Sequence, residues 1–508
     1  MDTTGSNKRI AKNTLLLYFR MIITMIISLF TSRVVLDTLG IIDYGIYNVV
    51  GGVVIMFGFL NSAMAASTQR FLTFELGRQN SKRLKGVFSM SVTIHVIISI
   101  VIILLSETIG VWFINSELTI PAERLTATNW VFQFSVFTSV LTILSVPYDA
   151  AIISHERMNV FAYISILEVT LKLAVVYLLQ LFGYDKLVLY AILIFLVSLV
   201  LRIVYGIYCT RNFKETKYKF YWEKRLFIEI TSFAGWNLFG VFAGIGYGQG
   251  VNILLNIFFG PVVNAARGIA FQVMGAVNQL INNFQIAINP PITKAYAIND
   301  ENNMYKMIFS SSKFSFYLLL VFIIPLFIET KLVLSVWLKN VPDYTISFTR
   351  LVLIDLLICS LSGPLQILAQ ATGRVRKYQL IVSSVLLLNL PFSYLLLKVG
   401  YPAQVTFVVS IFLSSVALLA RLWVLKDLTS FPVALFVKNV IFIVFLVTIL
   451  ILPIPFYMQG IVENQLLQFA LVGFTTIIAL CLSIWFVGLS AGERLIAKEI
   501  FRRFLKVL

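Results

Sequence analysis

The sequence predicts an all-α integral membrane protein, and three observations carry that prediction. Of 508 residues, 59% are hydrophobic and 12% charged, the latter about half the ~25% of a soluble domain. Mean hydropathy is +0.91. The apolar residues come in continuous runs of a length that crosses a bilayer as a helix, roughly 20 residues each. They do not alternate, so helices satisfy the backbone in lipid where a barrel would need a two-residue period.

Taken in order, the runs fall at 13–36, 44–66, 87–106, 127–150, 160–183, 187–209, 232–257, 263–289, 310–329, 346–370, 378–398, 403–424, 435–457 and 465–488, about fourteen spans in all. The first is too long for the apolar core of a signal peptide and has no small-residue cleavage site after it, so it reads as a span. Cys209, Cys359 and Cys481 are far apart, which argues against a disulfide framework or a zinc site. No metal or cofactor is implied. His95, inside an apolar run, and His155, in a short polar loop, read as structural.

The formal charge is +17. The basic residues lie in loops between apolar runs and form no continuous basic face, so they speak for membrane orientation and against nucleic acid. With a cytoplasmic N-terminus, the inside segments hold Lys8, Arg9, Lys12, Arg70, Arg78, Lys82, Arg83, Lys85, the stretch from Arg211 to Arg225, Arg374, Arg376, Lys377, Lys426 and Lys438. The opposite orientation would break the positive-inside rule in nearly every loop. Both termini are therefore expected in the cytoplasm. The last residues, 491–508, read as an amphipathic tail on the inner leaflet. Leu495, Ile496, Phe501, Phe504, Leu505 and Leu508 share one face, while Lys498, Arg502, Arg503 and Lys506 meet head groups.

The chain repeats itself. Leu39-Gly40 matches Phe259-Gly260, and Lys85-x-x-Phe88-Ser89 matches Lys306-x-x-Phe309-Ser310. Glu107-Thr108 with Val111-Trp112 matches Glu329-Thr330 with Val336-Trp337. Ser145-x-Pro147, followed by Arg157, matches Ser362-x-Pro364, followed by Arg374. Each copy holds an even number of spans, so both enter from the same side as parallel repeats, with a substrate path expected between them. The expected organisation is a six-helix bundle over 1–220, a second over 221–430, two additional helices over 431–490, and the tail.

Thr31-Ser32-Arg33, Leu39-Gly40 and Tyr44-Gly45-Ile46, with Asn252 to Ala270 in the second copy, resemble oligosaccharide flippases. These are the Wzx-type members of the multidrug/oligosaccharidyl-lipid/polysaccharide exporter superfamily, and the plan matches over about the whole chain. The resemblance implies a MATE-like fold in the bacterial inner membrane. It also implies transport of an undecaprenyl-pyrophosphate-linked O-antigen, capsular or exopolysaccharide unit, without enzymatic activity, beside a polysaccharide polymerase and chain-length machinery. It further implies that helices 1, 2, 7 and 8 line a basic cavity.

Moving such a headgroup requires hydrogen-bond partners for hydroxyls and positive charge for phosphate. Span 8 supplies amides in a helical stripe: Asn264, Gly268, Phe271, Gly275, Asn278, Asn282, Gln285 and Asn289, widened by Gln272 and Gln279. Span 7 adds Gln249, Asn252 and Asn256 among its glycines. Such a stripe either glues helices together or faces a wet path. Arg20, Arg33 and Arg267 are candidate phosphate ligands, because the guanidinium fork suits phosphate and keeps its charge when buried. Arg33 and Arg267 lie near enough to a membrane edge to snorkel instead, and Arg202 and Arg421 read as anchors.

Glu168 and Lys172 are spaced as a helical ion pair. With Asp355, alone near the middle of span 10, they are the ion-coupling candidates. Asp149 reads as a loop or gate residue. A cation-coupled multidrug-type exporter is the alternative function. It would need acids in its cavity, and here span acids are confined mainly to Asp149, Glu168 and Asp355. A peptidoglycan lipid-precursor flippase is a third reading. Short loops and the lack of a Walker motif argue against a membrane enzyme or an ATPase.

Overall fold

A peptide group in hydrocarbon must find its hydrogen bond within its own segment, which makes the helix the default element. The computed structural model is accordingly 88% helix with no strands among the described residues. It describes residues 3–55, 58–116, 120–181, 185–338, 341–490 and 492–495.

The first part of the chain forms α1 (Thr3–Ile55), α2 (Gly58–Gly77), α3 (Ser81–Leu105), α4 (Val111–Ser116), α5 (Leu125–Ser154), α6 (Met158–Leu181) and α7 (Lys186–Asn212). Then come α8 (Lys224–Phe259), α9 (Pro261–Ala297), α10 (Glu301–Ile328), α11 (Thr330–Trp337), α12 (Thr345–Ser360) and α13 (Gly363–Ala371). The rest comprises α14 (Val375–Leu387), α15 (Asn389–Lys398), α16 (Val405–Thr429), α17 (Val433–Phe436), α18 (Phe442–Ile451), α19 (Pro453–Tyr457) and α20 (Gln465–Ser483). Among the described residues, 11 helical segments are long and apolar enough to cross a membrane. The expected fourteen is compatible with this. The other three expected spans fall on α1, on the stretch from its Gly40 break into α2, and on α9, whose amides dilute its hydropathy.

Arg9–Leu238 form one compact unit, and Phe239–Leu508 with Met1–Lys8 the other. The same backbone punctuation occurs in both. Gly40 (φ 79°, ψ 168°) breaks α1, and Gly260 (φ 78°, ψ −175°) separates α8 from α9. Both adopt a left-handed φ that a side chain disfavours. Gln79 (φ 56°) and Asn299 (φ 55°) end the next helices. Asn80 and Asp300 then cap α3 and α10, each accepting from the backbone N–H three residues on.

Lipid offers no hydrophobic drive for helices to associate, so close packing and small or hydroxylated residues hold them together. In the N-terminal unit, Phe132, Val131, Val136 and Ile114 pack with Leu187 and Ala191. Gly110 lies so close to Phe132 that a methyl group there would sit 2.6 Å from the ring. Thr73 Oγ1 donates to Ser154 Oγ at 2.8 Å, and Ser67 Oγ to the Ile230 carbonyl at 3.0 Å. His95 is buried with Nδ1 2.7 Å from the Ser91 carbonyl. His155 stacks on Phe213 at 4.0 Å, and its Nε2 lies 2.5 Å from Glu215 Oε1. Burial opposes ionisation of that loop carboxyl, but the bonds from His155 and its own backbone, with Lys85 nearby, hold it below the usual range.

In the C-terminal unit, Val251, Leu255, Val263, Ala266 and Ala270 pack against Phe348, Val352 and Phe407. Lys313, buried on α10, donates to Glu493 Oε2 at 2.7 Å and to the Gly488 carbonyl at 3.1 Å. Ser490 and Glu493 cap each other reciprocally, as at a helix start. The tail from 496 onward lies outside the described residues.

Candidate functional site

α9 has no Asp or Glu in its 37 residues; it carries Arg267 and Lys294. At 100° per residue its apolar face holds Val263, Ala266, Ala270, Val277, Ile281 and Ile288, all buried. The opposite face, exposed, holds Gly268, Gln272, Gly275, Ala276, Gln279 and Asn282. Exposed positions on other helices carry Leu, Ile and Phe, for example Phe442, Phe445 and Phe474 on α18 and α20. A face of carboxamides and glycines is costly against hydrocarbon and well suited to water or hydroxyls.

The remaining amides divide. Asn264 Nδ2 donates to the Asn252 carbonyl at 2.7 Å and to its Oδ1 at 2.8 Å, tying α9 to α8 across the Gly260 turn. Gln285, half-buried, lays its carboxamide against Gly363, where any added methyl group would collide with it. Asn278 is half-buried. The side chains of Gln249, Asn256 and Arg33 lie outside the described residues.

Arg267 is buried. Its Nη2 donates to the Gly248 carbonyl at 3.0 Å, and its guanidinium lies 4.2 Å from the Phe271 ring centre. Its Nε has no partner among the described residues, and none of their carboxylates forms an ion pair with it. Arg20 belongs to the N-terminal unit. There Nη1 reaches Ser165 Oγ on α6 at 3.4 Å and the guanidinium covers Phe161 at 4.8 Å. Asp149, Tyr205 and Glu168 interact with it electrostatically. Asp149 Oδ1 is buried without a hydrogen bond among the described residues. Lys172 Nζ donates to Glu168 Oε1 at 2.6 Å, with both side chains about 40% exposed (41% and 40%). A pair this accessible contributes roughly 0.3–0.5 kcal/mol in water.

Asp355 on α12 bonds Ser414 of α16, while its Oδ1 is buried with no partner among the described residues. A polar chain continues nearby. Tyr247 Oη lies 2.7 Å from Ser410 Oγ, Asn389 Nδ2 donates to the same oxygen at 3.0 Å, and Ser393 Oγ donates to Asn389 Oδ1 at 2.8 Å. These polar side chains stand at four-residue spacing, Ser410 with Ser414 and Asn389 with Ser393. That pattern on apolar helices was their only trace in the sequence. Among the described residues no group of three or more His, Cys, Asp or Glu converges to hold a metal.

Fold and site together define a polytopic helical membrane protein with an amide-lined face and buried charged side chains. Comparison with solved structures gives the fold a name. At 13% identity the chain is similar to a MATE crystallised in the bent conformation, with a TM-score of 0.73 over 85% of this chain and 98% of that one. It is also similar to the outward-facing multidrug resistance MATE family transporter of the MOP superfamily, with a TM-score of 0.72 over 84% and 96%. A third likeness is to a MOP superfamily transporter from Pyrococcus furiosus, described by the reverse polarity of its binding pocket, with a TM-score of 0.69 over 84% and 96%. The fold is therefore MATE-like. No family model and no curated protein matches the chain.

Proposed function

We propose that the protein is a flippase for a lipid-linked oligosaccharide. It carries an undecaprenyl-pyrophosphate-linked O-antigen, capsular or exopolysaccharide unit from the inner to the outer leaflet of a bacterial inner membrane, by alternating access and with both termini cytoplasmic. The single observation that carries this reading is the exposed face of α9, with its amides, glycines and absence of acids. Carboxamides offer both donors and acceptors to sugar hydroxyls. They neither repel phosphate nor attract cations. Arg267 on the same helix, and Arg20 and Arg33 on α1, supply the positive charge that a pyrophosphate needs in a poorly solvating medium. A polysaccharide polymerase and chain-length machinery would receive the product.

A second reading has an observation of its own. Asp149 and Asp355 each hold a buried carboxylate oxygen without a hydrogen bond among the described residues, as a cation-coupled small-molecule exporter would use. In the flippase the same residues, with the Glu168–Lys172 pair, are the candidates for ion coupling. Binding to the purified protein separates the two readings. The flippase is stabilised against heat by a polyprenyl-pyrophosphate sugar, and much less by the sugar-free polyprenyl monophosphate. Substituting Gln272, Gln279 and Asn282 by Ala removes that difference. Stabilisation by a lipophilic cation alone would favour the exporter.

A further inference from the structure

The repeated Ser-x-Pro motif, Ser145-x-Pro147 in one unit and Ser362-x-Pro364 in the other, has a partner in the structure that the sequence did not show. A proline inside a helix leaves the carbonyl four residues earlier without its N–H and bends the axis. In the C-terminal unit the helix is interrupted there: α12 ends at Ser360, and α13 begins at Gly363 with Pro364 in its first turn. Polar side chains from two other helices bond the two residues between, and two more helices contribute beside them. Arg421 Nη1 of α16 donates to Ser362 Oγ at 3.1 Å, and its Nε to Tyr378 Oη of α14 at 3.0 Å. Ser312 Oγ of α10 donates to the Leu361 carbonyl at 3.3 Å. Gln285 of α9 fills the space that a side chain at 363 would need.

The N-terminal unit also sets an arginine beside its motif, here on a helix that runs on unbroken. Pro147 lies inside α5, and Arg202 of α7 places its guanidinium 4.1 Å from the ring centre of Tyr148, the next residue. Tyr148 also packs edge-on to Phe88 at 5.2 Å, and its carbonyl accepts from Cys209 Sγ at 3.5 Å. Arg202 and Arg421 each lie on the last helix of the repeat. Arg421 stands eight residues before the end of its helix and Arg202 ten before the end of its own, or about 12 and 15 Å along the axis. That is deep for an anchor that must reach the head groups. No carboxylate pairs with either arginine among the described residues. Their partners are neutral: a serine and tyrosine hydroxyl in one unit, an aromatic face in the other.

We infer that these two arginines are clasps. Each reaches from the last helix of its repeat to the proline bend of the fourth span and sets the angle at which that span continues. Arginine suits the task because its rigid fork can hold a hydroxyl on either side of the bend at once. In the C-terminal unit the two hydroxyls belong to Ser362, at the break, and Tyr378, beyond it. Losing the clasp frees α13 to swing about Leu361–Ser362 while α12 stays packed on α9 and α10.

The test measures distances by pulsed electron resonance on the full chain in nanodiscs, with Cys209, Cys359 and Cys481 replaced by Ala and no substrate present. One spin-label pair joins Gln366 on α13 to Phe322 on α10, and a control pair joins Ile354 on α12 to Phe322. The inference predicts that Arg421→Gln shifts or broadens the 366–322 distance and leaves 354–322 unchanged. Tyr378→Phe, which removes one of the two bonds, should give a smaller change in the same direction, as should Arg421→Lys. The exposed Arg376→Gln should give none. A 366–322 distance in Arg421→Gln that matches the unsubstituted chain would overturn the clasp. An equal change in both pairs would overturn it too, since it would mean general loosening without a hinge.

Discussion

The Lys313–Glu493 pair joins the end of the chain to α10 and allows a quantitative prediction. Only 7% of the Lys313 side chain and 14% of the Glu493 side chain are exposed. Removing one member of a pair this buried leaves an uncompensated charge, which costs roughly 3–5 kcal/mol. Glu493 also accepts from Ser310 Oγ at 2.6 Å and from the Ser490 N–H at 2.8 Å, the second as a helix cap, and losing the cap adds about 1 kcal/mol. Glu493→Ala should therefore lower the Tm of the purified protein by several degrees, measured by intrinsic fluorescence in detergent. The double variant Lys313→Met, Glu493→Leu should recover most of that loss, because neither charge remains to be buried. The pH dependence follows from the direction of the shift. Burial opposes ionisation of Glu493, but Lys313 and the surrounding bonds outweigh it and hold the folded value low. The pair's contribution is thus complete above the carboxyl's unfolded value of about 4.3 and is lost as pH falls through the lower folded value. A Tm of Glu493→Ala equal to that of the unsubstituted protein at pH 7, or a double variant less stable than the single, would refute this account.

Three further predictions concern the site and its supports. Gln272→Ala, Gln279→Ala and Asn282→Ala combined should lower transport about a hundredfold, at roughly 1 kcal/mol per lost hydrogen bond, with Tm unchanged because these side chains are exposed; a transport assay beside a melting curve checks both. Arg124 donates to both Asp43 oxygens and, at 2.6 Å, to Asp185, so Arg124→Ala should destabilise the N-terminal unit and Arg124→Lys should restore only part of the loss, read as Tm. Glu215→Gln removes the charge that faces His155, so limited proteolysis near residue 215 should speed up at pH 7; the unsubstituted chain should lose protection only as pH falls below the ordinary carboxyl range, since its folded value is depressed from that range.

The helical class and most helix positions were legible because apolar runs of bilayer length have few alternatives. α9 was legible for the opposite reason: its amides interrupt such a run at three- and four-residue steps. The spacing could not say which amides turn inward. Asn264 bonds Asn252 across a turn fixed by Gly260, and Gln285 finds Gly363, more than seventy residues away in sequence. Nothing in the sequence ties Lys313, inside a span, to Glu493, beyond the last one, because only the packing of α20 on α10 brings them together. Arg421 read as an anchor because depth along a helix does not reveal the serine and tyrosine that hold its guanidinium.

The claim that the α9 face carries an anionic, hydroxyl-rich headgroup is tested most directly by flipping in proteoliposomes. The purified protein is reconstituted with a fluorescent polyprenyl-pyrophosphate oligosaccharide, and the share that becomes accessible to an external quencher is followed in time. The account predicts rapid exposure that the Gln272→Ala, Gln279→Ala, Asn282→Ala chain loses, and no accumulation of a lipophilic cation in the same vesicles. Cation accumulation driven by an ion gradient, with the lipid-linked sugar remaining in its original leaflet, would contradict it.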